Sequence, residues 1–104
     1  MNSNLLRRAA TVMFAAICAT RPAVAAADSN YPRDLASGCA NCHGTNGKSV
    51  GIVPPLAGLD RDYIVLQMQD FKRGRRPSTV MHQIAKGYSD EQIELMAEYF
   101  AAQK

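Results

Sequence analysis

The 104-residue sequence predicts an all-α protein of three to four short helices, on three observations. Apolar residues recur at helical spacing: Ile64, Met68 and Phe71 fall at i, i+4 and i+7, and Ile93, Met96, Ala97 and Phe100 mark a second such stripe. No stretch alternates apolar and polar residues as a half-buried strand would. Clustered glycines and prolines, densest between Gly44 and Gly58, separate the periodic segments and are too many for a regular element.

The first 25 residues read as a secretory leader and are set apart from the fold. Arg7 and Arg8 supply the positive start, and the apolar run Ala9 to Thr20 is too short to span a bilayer. Small residues at Ala23-Val24-Ala25 and Ala25-Ala26-Ala27 predict cleavage after 25 or 27, leaving residues 26–104 as a single domain with no membrane span. Cleavage removes Cys18, so the two cysteines that remain, Cys39 and Cys42, leave no third thiol for a separate disulfide. It also removes Arg7, Arg8 and Arg21 from the 12 basic residues, and the nine left balance nine acidic ones. The basic pI of the whole chain therefore gives no reason to expect nucleic acid as a partner. A domain this short buries only about 60% of its unfolded surface, and generally needs a staple.

The elements follow in order. Asn30 to Cys42 is predicted as the first helix, with Pro32 in the first turn, where its missing N–H costs nothing, and Asp34 complementing the dipole. Gly44 to Gly58 is predicted as a loop, and a structureless stretch of that length in a small domain is usually functional. Asp60 to Arg73 is the middle helix, stopped by Gly74. Pro77 to Ile84 is read as a second loop, leading to a turn at Lys86-Gly87-Tyr88. Ser89 caps the last helix, with Gln92 at the capping-box position, and that helix runs to about Ala102.

The chemistry centres on Cys39-Ala40-Asn41-Cys42-His43, the c-type haem attachment signature. Each thiol adds across one vinyl group of the porphyrin, and one helical turn brings both sulfurs to the same edge. The histidine that follows is forced beneath the ring, where it ligates iron. A thioredoxin-like pair would need strands around it, which the chain lacks. A zinc site from Cys39, Cys42, His43 and His82 would have unusual histidine spacing. One covalent haem c is therefore the expected cofactor, and it would supply the staple and much of the core. Haem is attached to such chains after export, which places the mature protein in the periplasm.

The second axial ligand is sought among Met68, Met81, Met96 and His82. Met68 and Met96 lie on apolar helical stripes, where packing is the ordinary role. Met81 sits in the stretch read as loop and is the favoured ligand, with His82 as the alternative. Thioether ligation raises the reduction potential relative to bis-histidine, and two filled axial positions suit single-electron transfer. A carbonyl of Pro54 or Pro55 is a candidate acceptor for the second nitrogen of His43. Lys72, Arg73, Arg75 and Arg76 form the one basic cluster, read either as dipole complementation or as a docking patch for an acidic redox partner. Asp60, Asp62 and the Asp90/Glu91/Glu94/Glu98 group read as helix-start charges and a solvated face, so no catalytic residues are assigned.

From Ala36-Ser37-Gly38-Cys39 through Pro54-Pro55-Leu56-Ala57-Gly58 to the end, the chain resembles the class I bacterial cytochromes c of the c4 and c553 group. The segments Phe71 to Met81 and Ile84 to Ile93 tilt the resemblance toward the cytochrome subunit of flavocytochrome c sulfide dehydrogenase. The resemblance implies an all-α cytochrome c fold whose first and last helices cross, with Gly38 admitting Tyr99 or Phe100. It implies His43 and Met81 as axial ligands. It also implies a flavoprotein subunit as electron donor and a downstream cytochrome or oxidase as acceptor. A free monohaem carrier, and a sensor or peroxidase in which Met81 is displaced, are the other readings.

Overall fold

The computed structural model describes residues 29–104, so the leader and both cleavage positions lie outside the described residues. Five helices follow one another: α1 (Tyr31–Ser37), α2 (Ala40–His43), α3 (Arg61–Lys72), α4 (Met81–Lys86) and α5 (Asp90–Ala101). A 3₁₀ turn, Thr45–Gly47, follows α2. Among the described residues there is no strand, as the patterning predicted.

The predicted first helix is two pieces. Ser37 Oγ donates to the Asp34 carbonyl at 2.6 Å, and Cys39 N–H donates back only three residues, to Ala36. Such local bonds compete with the helical ladder and end α1 one turn early. Gly38 and Cys39 nonetheless keep right-handed dihedrals, so the two cysteines still stand one turn apart. The second correction is α4, where the sequence suggested loop. Ser78 Oγ accepts from the His82 N–H at 3.0 Å, and the short helix buries Ala85 completely. Six residues are too few for a periodicity to register in sequence. The predicted ends of α3 and α5 hold. Asp60 Oδ1 caps α3 by accepting from Tyr63 N–H (3.0 Å), and Ser89 and Gln92 form the reciprocal capping box of α5.

Among the described residues the buried core is small, with Ile64, Ile93, Met96 and Phe100 its large members. Each contributes about 1.5–3 kcal/mol by leaving water. Ala36 of α1 joins α5 in this core, and Gln92 Nε2 donates to Tyr31 Oη at 3.0 Å across the same helix pair. The pairing of first and last helices is thus as expected, but the close contact at Gly38 is different. A Cβ there would meet the hydroxyl of Tyr88 at 3.4 Å, whereas Phe100 lies against Gly47. The loop from Gly44 arches over the C-terminal end of α5, and a glycine is what lets Phe100 fit beneath it.

The same loop is fastened at several points. Leu56 and Ala57 N–H groups donate to the Gly47 carbonyl (2.8 and 3.1 Å), Gly58 N–H donates to Phe100 O (2.9 Å), and Tyr99 Oη donates to Asn46 Oδ1 (2.6 Å). Arg61 bridges Asp62 (2.6 Å), Glu94 (3.4 Å) and Glu98 (3.6 Å), which makes those acids part of an exposed α3–α5 seam. Gly47 has φ +75°, and a Cβ there would lie 2.8 Å from Phe100 and 2.9 Å from backbone. Gly47→Ala is therefore expected to lower unfolding free energy by roughly 2–4 kcal/mol. Gly74→Ala, equally left-handed at φ +69° but with open space around it, should cost only about 1 kcal/mol. Denaturant unfolding of the two variants measures the difference.

Candidate functional site

A cavity of about 440 Å³ opens between the Cys39–His43 segment, the loop at 52–59, and one face each of α3, α4 and α5. That volume falls within the roughly 300–1,000 Å³ usual for cofactor sites. One wall carries Cys39, Cys42 and His43, and α4 contributes Met81. Between them the lining is mostly apolar, with Leu56, Ile64, Met68, Phe71, Met96 and Phe100.

His43 is held by the partner its sequence context suggested. Its Nδ1 lies 2.6 Å from the Pro54 carbonyl oxygen. A carbonyl only accepts, so Nδ1 carries the proton and the lone pair rests on Nε2. Pro54 stays in place because the loop that carries it is tied to Gly47 and to the end of α5. The bond orients the ring and makes Nε2 a better donor to a metal.

The thiols match attachment chemistry better than disulfide exchange. Both cysteines are free, Cys39 half-buried and Cys42 exposed. Burial, and after it the neighbouring Cys42 sulfur, pushes the Cys39 thiol above its ordinary range. Redox Cys-x-x-Cys pairs work through a depressed thiol, the opposite of what is found here. Zinc fares no better. Among the described residues no group of three or more His, Cys, Asp and Glu side chains is arranged to hold a metal ion. His82 does not line the cavity, and its Nδ1 is 3.1 Å from Ser78 Oγ. A haem fits the lining on the donor set: two thiols a turn apart, an imidazole with its lone pair on Nε2, a thioether, and an apolar surround.

The members of the basic cluster take different partners. Lys72 Nζ bonds Asp90 Oδ1 (2.9 Å) and the Tyr88 carbonyl (2.7 Å), and Arg75 bonds Asp70 Oδ1 at 2.6 and 2.9 Å. Arg76 turns elsewhere: its guanidinium meets Gln67 Oε1, stacks 4.8 Å from the centre of the Phe71 ring, and lines the cavity. Arg73 is an exposed residue at the C-terminal cap of α3. The four residues of the basic run therefore differ in their partners. Tyr63 and Gln67 at i and i+4, in line with Phe71 at i+8, were the available signal that polar side chains of α3 also face the site. Tyr88, equally unforeseen, lines the cavity beside Cys39, and burial raises its phenol above the usual value.

Comparisons with known proteins agree with this geometry. Residues 33–104 match the family described as cytochrome c. The chain is 45% identical over 82 residues to the cytochrome subunit of sulfide dehydrogenase from Chlorobaculum tepidum, a match covering 79% of this chain and 74% of that protein. It is 37% identical to cytochrome c4 of Pseudomonas aeruginosa across 77% of this chain, but spans only 40% of that protein. A solved structure of cytochrome c4 from Acidithiobacillus ferrooxidans superposes with a TM-score of 0.63 at 28% identity, covering 74% of this chain and 52% of that one.

Asp90 ties α5 to α3 beside the site, and hydrogen bonds from Gln69 and then Lys72 hold its carboxyl below the usual range. A depressed folded-state value means that its stabilisation is present above the unfolded carboxylate pKa of about 3.9 and is lost as pH falls through the folded value. Asp90→Asn should therefore flatten the acid limb of the stability–pH curve below about pH 4. Thermal melts of both proteins across that range check it.

Proposed function

This chain belongs to the cytochrome c family and carries one covalent haem c, and we propose that it is the electron-accepting haem subunit of a sulfide-oxidising flavocytochrome. As a cytochrome c it is an electron-transfer protein. The finer assignment is carried by one observation: 45% identity to a sulfide dehydrogenase cytochrome subunit, of which the chain spans 74%. On this reading a flavoprotein subunit donates electrons, and a downstream cytochrome or oxidase takes them. The place of work is the periplasm, reached with a leader at residues 1–25 and left to a mature domain of residues 26–104.

The roles of the site residues follow from their positions. Cys39 and Cys42 hold the porphyrin by thioethers, one helical turn apart. His43 ligates through Nε2, because Nδ1 is committed to Pro54. Met81 would supply a second iron ligand, favoured over His82 because it lines the cavity and His82 does not. Bound haem supplies a one-electron couple. The chain's part would be to hold that group through Cys39, Cys42, His43 and Met81, to exclude water with the apolar walls, and to change little between redox states. With both residues as ligands, oxygen and peroxide would be kept from the iron, whereas the sensor or peroxidase reading requires Met81 to be displaced.

The second reading is a free electron carrier, favoured by the 37% identity to cytochrome c4. No helix among the described residues is long and apolar enough to cross a membrane. Purification in mild salt separates the two readings: a flavin-containing subunit in stoichiometric amount supports the complex, and a lone haem protein supports the carrier. Met81→Ala tests the ligand. It should abolish the ferric sulfur–iron charge-transfer band and open the ferrous protein to carbon monoxide, while His82→Ala should leave the band in place.

A further inference from the structure

We propose that Ser78 selects the axial ligand: its hydroxyl holds His82 by backbone and by ring, so that of two adjacent iron-binding side chains only Met81 is presented to the cavity. The inference rests on the reading of the cavity as the haem site with Met81 as ligand, and deepens it with a positioning residue that does not itself line the cavity. Thioether and imidazole both ligate haem iron, and here they stand at consecutive positions, Met81 and His82. Imidazole suits iron at least as well as thioether does, so donor strength alone does not choose Met81. Position has to choose it.

Successive residues of a helix point about 100° apart, so α4 can present one of the pair to the cavity and must turn the other away. Thr79, Val80, Met81 and Ile84 line the cavity, and His82 does not. Ser78 Oγ accepts from the His82 backbone N–H at 3.0 Å and meets His82 Nδ1 at 3.1 Å, at a partly buried position. Backbone and ring of one residue are thus tied to a single atom. The helix has little else to fix its rotation. It is six residues long, its cap residue Val80 makes no side-chain cap bond, and the Val80 carbonyl receives both the Gln83 and Ile84 N–H groups (3.0 and 3.2 Å). A helix of that length is marginal without a further fastening.

The clasp also acts on the chemistry of the imidazole. A backbone N–H can only donate, so the Ser78 oxygen is the acceptor in that bond, and its own proton is free for Nδ1. Donated there, it occupies the Nδ1 lone pair and leaves the proton of the neutral ring on Nε2. Neither nitrogen then offers a lone pair to iron. His43 is the reverse case, with its Nδ1–H given to the Pro54 carbonyl and Nε2 left open. The two histidines are set apart by what their Nδ1 atoms face, a carbonyl that accepts or a hydroxyl that donates.

The test is ferric ligation in the haem-loaded protein, read by the sulfur–iron charge-transfer band and by low-temperature electron paramagnetic resonance, which separates imidazole–thioether from bis-imidazole iron. Wild type, Ser78→Ala, Ser78→Thr and Ser78→Ala/His82→Ala are compared across a mild urea series that loosens α4. Ser78→Ala should shift the ratio of Met81-ligated to His82-ligated protein about tenfold toward His82, the factor for losing one net hydrogen bond. Ser78→Thr keeps a hydroxyl and should keep the wild-type ratio. The double variant should recover the band, because the missing hydroxyl no longer releases a competitor. An unchanged ratio in Ser78→Ala overturns the proposal. So does a double variant that loses the band as readily as Ser78→Ala, since Ser78 would then act on α4 alone and not through His82. Should Ser78→Ala fail to fold, wild type decides: urea should replace the band with the bis-imidazole signal, and absence of that signal at every urea concentration overturns the proposal. A wild type without the band in plain buffer would defeat the Met81 assignment itself, and this inference with it.

Discussion

One short contact organises this molecule: Nδ1 of His43 against the carbonyl oxygen of Pro54, at 2.6 Å. It joins the attachment segment to the long loop, and the loop in turn is fastened to α5 through Gly47, Gly58 and Asn46. The imidazole therefore has one tautomer and one orientation before anything binds to it. As the proposed iron ligand, an imidazole fixed in this way would need no reorganisation when the iron changes charge, the property an electron carrier requires. The prolines that make the loop look irregular are what deliver the carbonyl to the ring.

The same economy governs the core. Among the described residues four large side chains, Ile64, Ile93, Met96 and Phe100, are buried, and they line the cavity together with less buried apolar groups such as Leu56, Met68 and Phe71. A small domain has too little interior to offset the cost of ordering its chain, about 1–2 kcal/mol per residue for the backbone. A covalent macrocycle lined by those side chains would serve as cofactor and as core at once. The exposed charge networks, Arg61 with Asp62, Glu94 and Glu98, and Lys72 with Asp90, register the helices against each other and add little energy individually.

Much of this was readable from residues alone because it is local. Five consecutive residues specify the attachment chemistry, Ser89 with Gln92 specifies the start of α5, and the stripe Ile64, Met68, Phe71 specifies α3. What escaped was either too short or too distant. The helix α4 has six residues and depends on one hydroxyl, Ser78, reaching back to His82. The break between α1 and α2 depends on a competing bond from Ser37. Close contacts at Gly38 and Gly47 join residues far apart in sequence, so their partners, Tyr88 and Phe100, were not fixed by pattern. The basic run from Lys72 to Arg76 looked uniform in sequence, yet the fold pairs two members with acids and turns Arg76 toward the cavity.

The account holds together only if the porphyrin is bonded to the chain at the two sulfurs flanking Ala40 and Asn41. Proteolysis of the mature protein under denaturing, alkylating conditions followed by mass spectrometry examines that bond directly. The account predicts a peptide spanning Cys39 to His43 that retains the haem mass, with neither cysteine alkylated. A haem-free peptide in which both cysteines take up the alkylating reagent would contradict it.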